Sequence, residues 1–286
     1  MKKIIIGFII GIVFLAIFVR NCFGNSIEEE TITSFSSRNN DKELYEEKEQ
    51  VQKILFQSDK GNIEIPKCSQ GVDEQILFRK AYTTSYNCNT KCPNWVAWHL
   101  IAEHADGKHR RLKNFHEEKD IPMPRATIED YIGSGWSRGH MCPAGDNKWD
   151  AEAMYESFSL VNVCPQNANL NSGLWNSIEM DCRKWALKYG DIYIVCGPVY
   201  LKREHETIGY NKVYVPEAFF KVILCLNGTP KGFGFIVRNT DGNKKRDLYY
   251  NSIDQVERIT GYDFFPILPD SIENEVEAKL DMTLWY

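Results

Sequence analysis

A histidine set in a glycine-rich loop, Gly133-Ser134-Gly135-Trp136-Ser137-Arg138-Gly139-His140, most limits what this chain can become. It lies in the stretch Tyr131 to Asp150. A second, asparagine-rich stretch follows from Phe158 to Glu179, FSLVNVCPQNANLNSGLWNSIE. Imidazole is the side chain that titrates near neutral pH, and His140 is the one histidine of six in a glycine-rich loop beside an arginine. His99, His104, His109, His116 and His205 occupy strand or polar-loop contexts and read as surface or packing residues.

The chain opens with Lys2 and Lys3 and an apolar run from Ile4 to Val19, the pattern of an export signal. Residues 1–24 are expected to be a signal peptide or an N-terminal membrane anchor, tethering through residues 4–19 if retained, because the run approaches the ~20 residues that span a bilayer. Residues 25–60 are a polar linker, too poor in large apolar side chains to offset the entropy of ordering. A solvated charged helix fits within Asp41 to Phe56. Residues 61–286 are read as one domain, with its functional part outside the cytoplasm.

The formal net charge of -5 counts against a polyanionic partner unless basic residues gather locally, as they do in Lys108 to Lys113, KHRRLK. Strands are predicted at Gln75 to Ser85, Trp95 to Ala102, Ile192 to Val199 with Gly197-Pro198 ending it, Lys212 to Val215, Phe219 to Leu226 and Gly232 to Val237. Helices are predicted at Ala151 to Ser157, at Asn171 to Tyr189, and at Ser252 to Thr260 with Gly261 closing the last. The irregular alternation points to an α+β fold.

Of nine cysteines, eight remain if Cys22 is set aside, and export permits disulfides. Cys88 and Cys92 suit a small local bridge. Cys142 and Cys164 are expected to pair, to stay reduced as buried apolar groups, or to bind zinc with His140, the last against the usual ligand spacing.

Arg138-Gly139-His140, then Asn162-Val163-Cys164-Pro165-Gln166, Leu170-Asn171 and Trp175 with Glu179, resembles the hallmark of the DNA/RNA non-specific endonucleases. The resemblance extends upstream to Asn94-Trp95-Val96-Ala97 and downstream through Cys196-Gly197-Pro198, Val215-Pro216, Phe219 to Val222 and Ile253 to Gly261. It implies a ββα-metal finger nuclease fold, with a central mostly antiparallel sheet flanked by helices. It also implies a metal-dependent hydrolase that cuts DNA and RNA to 5′-phosphate products.

On that resemblance His140 is the general base, and Asn171 holds a single Mg²⁺, or Mn²⁺ in its place. Magnesium takes oxygen ligands and keeps much of its water, while an asparagine can also cap the helix it starts. Glu179 lies eight residues on, two turns along one helix face, and orients a water that protonates the leaving 3′ oxygen. Arg138 and one of Arg110, Arg111 or Lys113, taken as Arg111, hold the phosphate, since a guanidinium fork matches its oxygens. Asn162 and Gln166 are placed on the substrate side, shaping the site through hydrogen bonds. Trp136 is a candidate for base stacking, and Trp175 belongs to the core.

The family usually has Asp where this chain has Ser137. The change removes a charge beside the base and weakens positioning around it, so a weak or inactive protein that binds nucleic acid or a partner is the alternative. A second alternative is an exported enzyme acting on another phosphodiester.

Overall fold

In this computed structural model residues 62–68 and 71–286 are described. The expected leader, tether and charged helix lie outside the described residues. The described chain belongs to one compact unit, Lys60–Tyr286.

A short strand β1 (Lys67–Cys68) precedes β2 (Gln75–Phe78), β3 (Thr83–Asn87) and the long β4 (Cys92–Ile101). The two motif stretches then supply β5 (Ser137–His140), helix α1 (Ala151–Ser157), β6 (Val163–Gln166) and helix α2 (Asn176–Tyr189). Next come β7 (Asp191–Val199), the short pair β8 (Thr207–Ile208) and β9 (Val213–Tyr214), β10 (Ala218–Cys225) and β11 (Lys231–Arg238). The order closes with β12 (Tyr250–Asn251), helix α3 (Ile253–Thr260), β13 (Tyr262–Asp263) and helix α4 (Asp270–Ala278).

One seven-stranded sheet runs in the order β12-β11-β10-β7-β4-β3-β2. All its neighbouring strands are antiparallel, so the α+β class with a central antiparallel sheet holds. β10 is buried along its whole length and β7 along all but its first residue, which is why both read as nearly unbroken apolar runs.

The two sheet faces are easiest to see on β11, where side chains alternate. A Cβ on Gly232 or Gly234 would meet Ile253 at 2.6 Å or Val256 at 2.5 Å, so bare backbone lets α3 seat closely on that face. Phe233 points the other way and meets Trp185 of α2 edge-on, at 5.4 Å between centroids. α2 and α3 therefore cover opposite faces. Each fully buried phenylalanine of this strand contributes roughly 1.5–3 kcal/mol by leaving water.

Four expectations need correction. Gln75 to Ser85 is a hairpin rather than one strand: Arg79 N–H donates to Tyr82 O (2.8 Å), and the polar pair Arg79-Lys80 turns the chain between β2 and β3. Gly197-Pro198 does not end β7; both residues pair with β10, at Phe220 and Phe219. Glycine is needed at 197 because a Cβ there would lie 2.5 Å from Asn94 O.

The helix expected from Asn171 starts as a π turn, Asn171–Trp175, with Gly173 off helical geometry (φ -102°, ψ -106°), before α2 proper begins. Finally, Cys88 and Cys92 are free thiols, as are the other six cysteines among the described residues. Cys142 and Cys164 are fully buried, and no cluster of metal-binding His, Cys, Asp or Glu side chains among the described residues includes them or His140.

Candidate active site

β5 and β6 pair antiparallel in the register Ser137↔Gln166, Arg138↔Pro165, Gly139↔Cys164, His140↔Val163, which lays the histidine motif against the asparagine-rich stretch. The pair depends on Gly139, since a Cβ there would fall 2.3 Å from Gln166 Oε1. With α2 following, these strands make the ββα unit.

Asn162 clamps the junction. Its Oδ1 accepts from Cys142 N–H, and its Nδ2 donates to the carbonyls of Cys142 and Ser157, each at 2.8 Å. The residue is fully buried, so its amide is spent inside the fold and shapes the site without facing a ligand. Gln166 is equally buried, yet neither its oxygen nor its nitrogen has a hydrogen-bond partner among the described residues.

His140 is 6% exposed, and its Nε2 is buried without a partner among the described residues. Its ring lies 4.9 Å from Phe115 and, edge-on, 4.9 Å from Phe158. Burial, with the nearby Arg111 charge, depresses its pKa to about 3, so the imidazole is neutral at neutral pH and has a free lone pair. The Arg138 guanidinium sits 5.1 Å over Phe115 and that of Arg111 5.2 Å over Phe158. Neither forms an ion pair among the described residues. Two arginines without carboxylate partners flank an apolar wall that holds a neutral base.

Asn171 is half-buried, and its side-chain amide makes no hydrogen bond among the described residues, leaving its oxygen open. Glu179 is partly buried on α2 and likewise makes no hydrogen bond there. Burial raises Glu179 to about 7 against the pull of Lys221, with Asp146 adding to the rise and Arg183 and Arg111 opposing it. The π turn lies between Asn171 and Glu179, so the simple two-turn relation expected from their spacing does not apply. Such turns are frequent at functional sites.

Beneath these residues lies a charged group that no sequence motif marks. Asp146 is 3% exposed, receives Arg183 Nη1 at 2.7 Å and accepts from Trp98 Nε1 at 3.2 Å. Lys221 is fully buried on β10, with its ammonium 4.9 Å from the Trp98 ring and 5.0 Å from the Trp175 ring. Burial works to lower the Lys221 pKa, but Cys196, Cys182, Glu179 and Asp146 outweigh it, so the lysine keeps its charge. The available signal was a lone charge inside the apolar run FFKVILCL.

Four of the other histidines are stacked or paired. His99 contacts Asp191 at 2.9 Å and stacks on Tyr193, while His104 stacks on Trp149. His116 stacks on Tyr155, and His205 contacts Glu217 at 3.1 Å. Trp175 is buried in the core, whereas Trp136 is partly exposed and donates from Nε1 to Glu206 (2.8 Å).

Residues 59–271 match the DNA/RNA non-specific endonuclease family, and the chain belongs to it. Among its relatives, the mitochondrial nuclease EXOG of Xenopus laevis is 39% identical over 207 residues, covering 65% of this chain and 57% of that protein. A nuclease of Nostoc sp. is 30% identical over 225 residues, covering 73% of this chain and 80% of its own length. The chain thus spans little more than half the length of its EXOG relatives. A solved EndoG/EndoGI complex contains a chain that superposes with a TM-score of 0.64 at 30% identity, covering 68% of this chain and 86% of that one.

Proposed function

We propose that this protein is an exported, metal-dependent endonuclease that hydrolyses phosphodiester bonds of DNA and RNA with little base preference, leaving 5′-phosphate ends. The observation that carries the reading is the buried, unpartnered His140 flanked by Arg111 and Arg138, neither of which is neutralised by a carboxylate among the described residues. A neutral imidazole can accept a proton from an attacking water. The two guanidinium groups suit a phosphodiester, and phosphate contacts carry no direct base information.

The open oxygen of Asn171 suits a hard cation such as Mg²⁺ or Mn²⁺ that retains most of its own water. When bound, the ion neutralises charge on the phosphoryl oxygens. Glu179, whose carboxyl is raised by burial, orients a water that protonates the leaving 3′ oxygen. Gln166, with both amide atoms free, is held to support the phosphate side of the site. Export rests on Lys2, Lys3 and the apolar run at 4–19.

Ser137 supports a second reading, a binding protein on the same fold, because its hydroxyl makes no hydrogen bond among the described residues and supplies no charge near His140. The test uses the full chain with long DNA and long RNA, in Mg²⁺ and in EDTA. Shortening of both polymers only in Mg²⁺, with phosphatase-sensitive 5′ ends, supports the nuclease. Intact polymers with Ser137→Asp restoring cleavage indicate a weakened nuclease; retention of either polymer on protein without cleavage in both forms supports the binding protein.

A further inference from the structure

On the sheet face opposite α2, helices α3 and α4 bring three carboxylates together. Asp254 and Glu257 lie one turn apart on α3, and Glu277 faces them from the last turn of α4. One oxygen from each lies within 4.8 Å of the others. That span is about twice the ~2.3–2.6 Å calcium–oxygen distance. The three oxygens therefore surround a point that a calcium ion fits.

Glu277 makes this more than an acidic surface. It is only 8% exposed, and its Oε1 is buried with no hydrogen-bond partner among the described residues. A buried carboxylate oxygen without a donor is costly. It also lies in the last turn of its helix, where the backbone dipole disfavours negative charge and α4 has no basic residue.

No lysine or arginine among the described residues pairs with Asp254, Glu257 or Glu277. Further carboxylates, Glu273 and Asp263, add to the field on Glu277. Glu257 gives one oxygen to Phe264 N–H at 2.8 Å, which fixes its carboxylate and leaves the other oxygen available.

We propose that Asp254, Glu257 and Glu277 bind a hard divalent cation of the calcium type that pins α4 to α3, separately from the site at His140. Calcium takes irregular sets of 6–8 oxygens including water, whereas Mg²⁺ demands a tighter octahedron at ~2.0–2.1 Å. The ion is structural. Its absence leaves the His140 side of the sheet in place.

The experiment uses the full chain carrying Asn171→Ala, so that the other expected ion does not contribute, and compares it with the same chain carrying Glu277→Gln as well. Calcium is titrated calorimetrically, and thermal unfolding is followed in EDTA and in calcium. The Asn171→Ala protein is expected to bind one Ca²⁺ and to gain roughly 5–10 °C at a hundredfold excess over Kd. Adding Glu277→Gln, which removes a buried like charge without removing volume, is expected to weaken binding at least tenfold and abolish the gain. Asp254→Asn serves as a second variant with the same expectation. No calcium-dependent gain in the Asn171→Ala protein, or an equal gain with and without Glu277→Gln, overturns the proposal.

Discussion

The molecule buries carboxylates on both faces of its sheet and treats them differently. On the α2 face, Asp146 and Glu179 share their surroundings with Arg183 and Lys221, so the chain supplies its own cations. On the α3 face, Asp254, Glu257 and Glu277 meet one another with no cation from the described residues. A carboxylate with an internal counter-charge keeps a fixed geometry whatever the solvent holds. One without it waits for a proton or a metal ion. The first arrangement suits a site that must stand ready for a substrate, and the second suits a clasp that responds to its ionic surroundings.

The largest effect is expected where the internal pairing is broken. Asp146→Ala leaves the partly buried Arg183 without its ion-pair partner and takes one carboxylate from the field at the fully buried Lys221, and it should cost about 3–5 kcal/mol of unfolding free energy, the usual penalty for breaking a buried pair. Denaturant unfolding measures it. A loss below about 1 kcal/mol would mean that water already neutralises this group.

Lys221→Met sharpens the comparison through pH. Removing the cation beside Glu179 raises its carboxyl further, so a step that depends on its protonation shifts to higher pH. The alkaline limb of the cleavage rate, measured at fixed Mg²⁺, should move upward in the variant. His140, depressed to about 3 by burial, stays neutral throughout and leaves the acid side open. An unmoved limb would separate Glu179 from the proton transfer.

The smallest effect belongs to the α3 face. In EDTA the Glu277 carboxyl is raised to about 8, first by burial and then by Glu257, Glu273, Asp254 and Asp263. The folded form then holds a proton that the unfolded chain releases near pH ~4.3, so stability should fall as pH rises from that point to about 8 and level off beyond it. Glu277→Gln should flatten this slope and stabilise the protein by about 1 kcal/mol at pH 9. Melting scans across pH in EDTA would show an unchanged slope if Glu277 reaches solvent.

The sequence made the β5–β6 motifs legible because their chemistry is concentrated in a few adjacent residues, and the pairing of Arg138-Gly139-His140 with Val163 to Gln166 turns that order into geometry. The central strands were equally plain as long apolar runs. The hairpin at Arg79 and Lys80 was hidden, since two polar residues barely interrupt the pattern. The π turn at Asn171 was hidden because a count of residues assumes one helical pitch.

Helix α4 carries only Ile272 and Val276 as apolar anchors in an acidic stretch, too thin a stripe to announce itself. Asp146, Arg183 and Lys221 come from three distant segments, and only tertiary packing makes them neighbours. Asn162 shows the converse. Its motif suggested a residue that shapes the site by hydrogen bonds, but only packing reveals that its buried amide ties Cys142 to Ser157.

The most direct test of the central claim compares the full chain with its His140→Ala form on supercoiled plasmid in Mg²⁺, with EDTA as control and the melting temperature of both recorded. The unaltered chain is expected to cleave in a way that EDTA abolishes, and the variant to cleave about 10²–10⁴ more slowly, the range for loss of a general base, with folding retained. A variant that cuts within about twofold of the unaltered chain would contradict it.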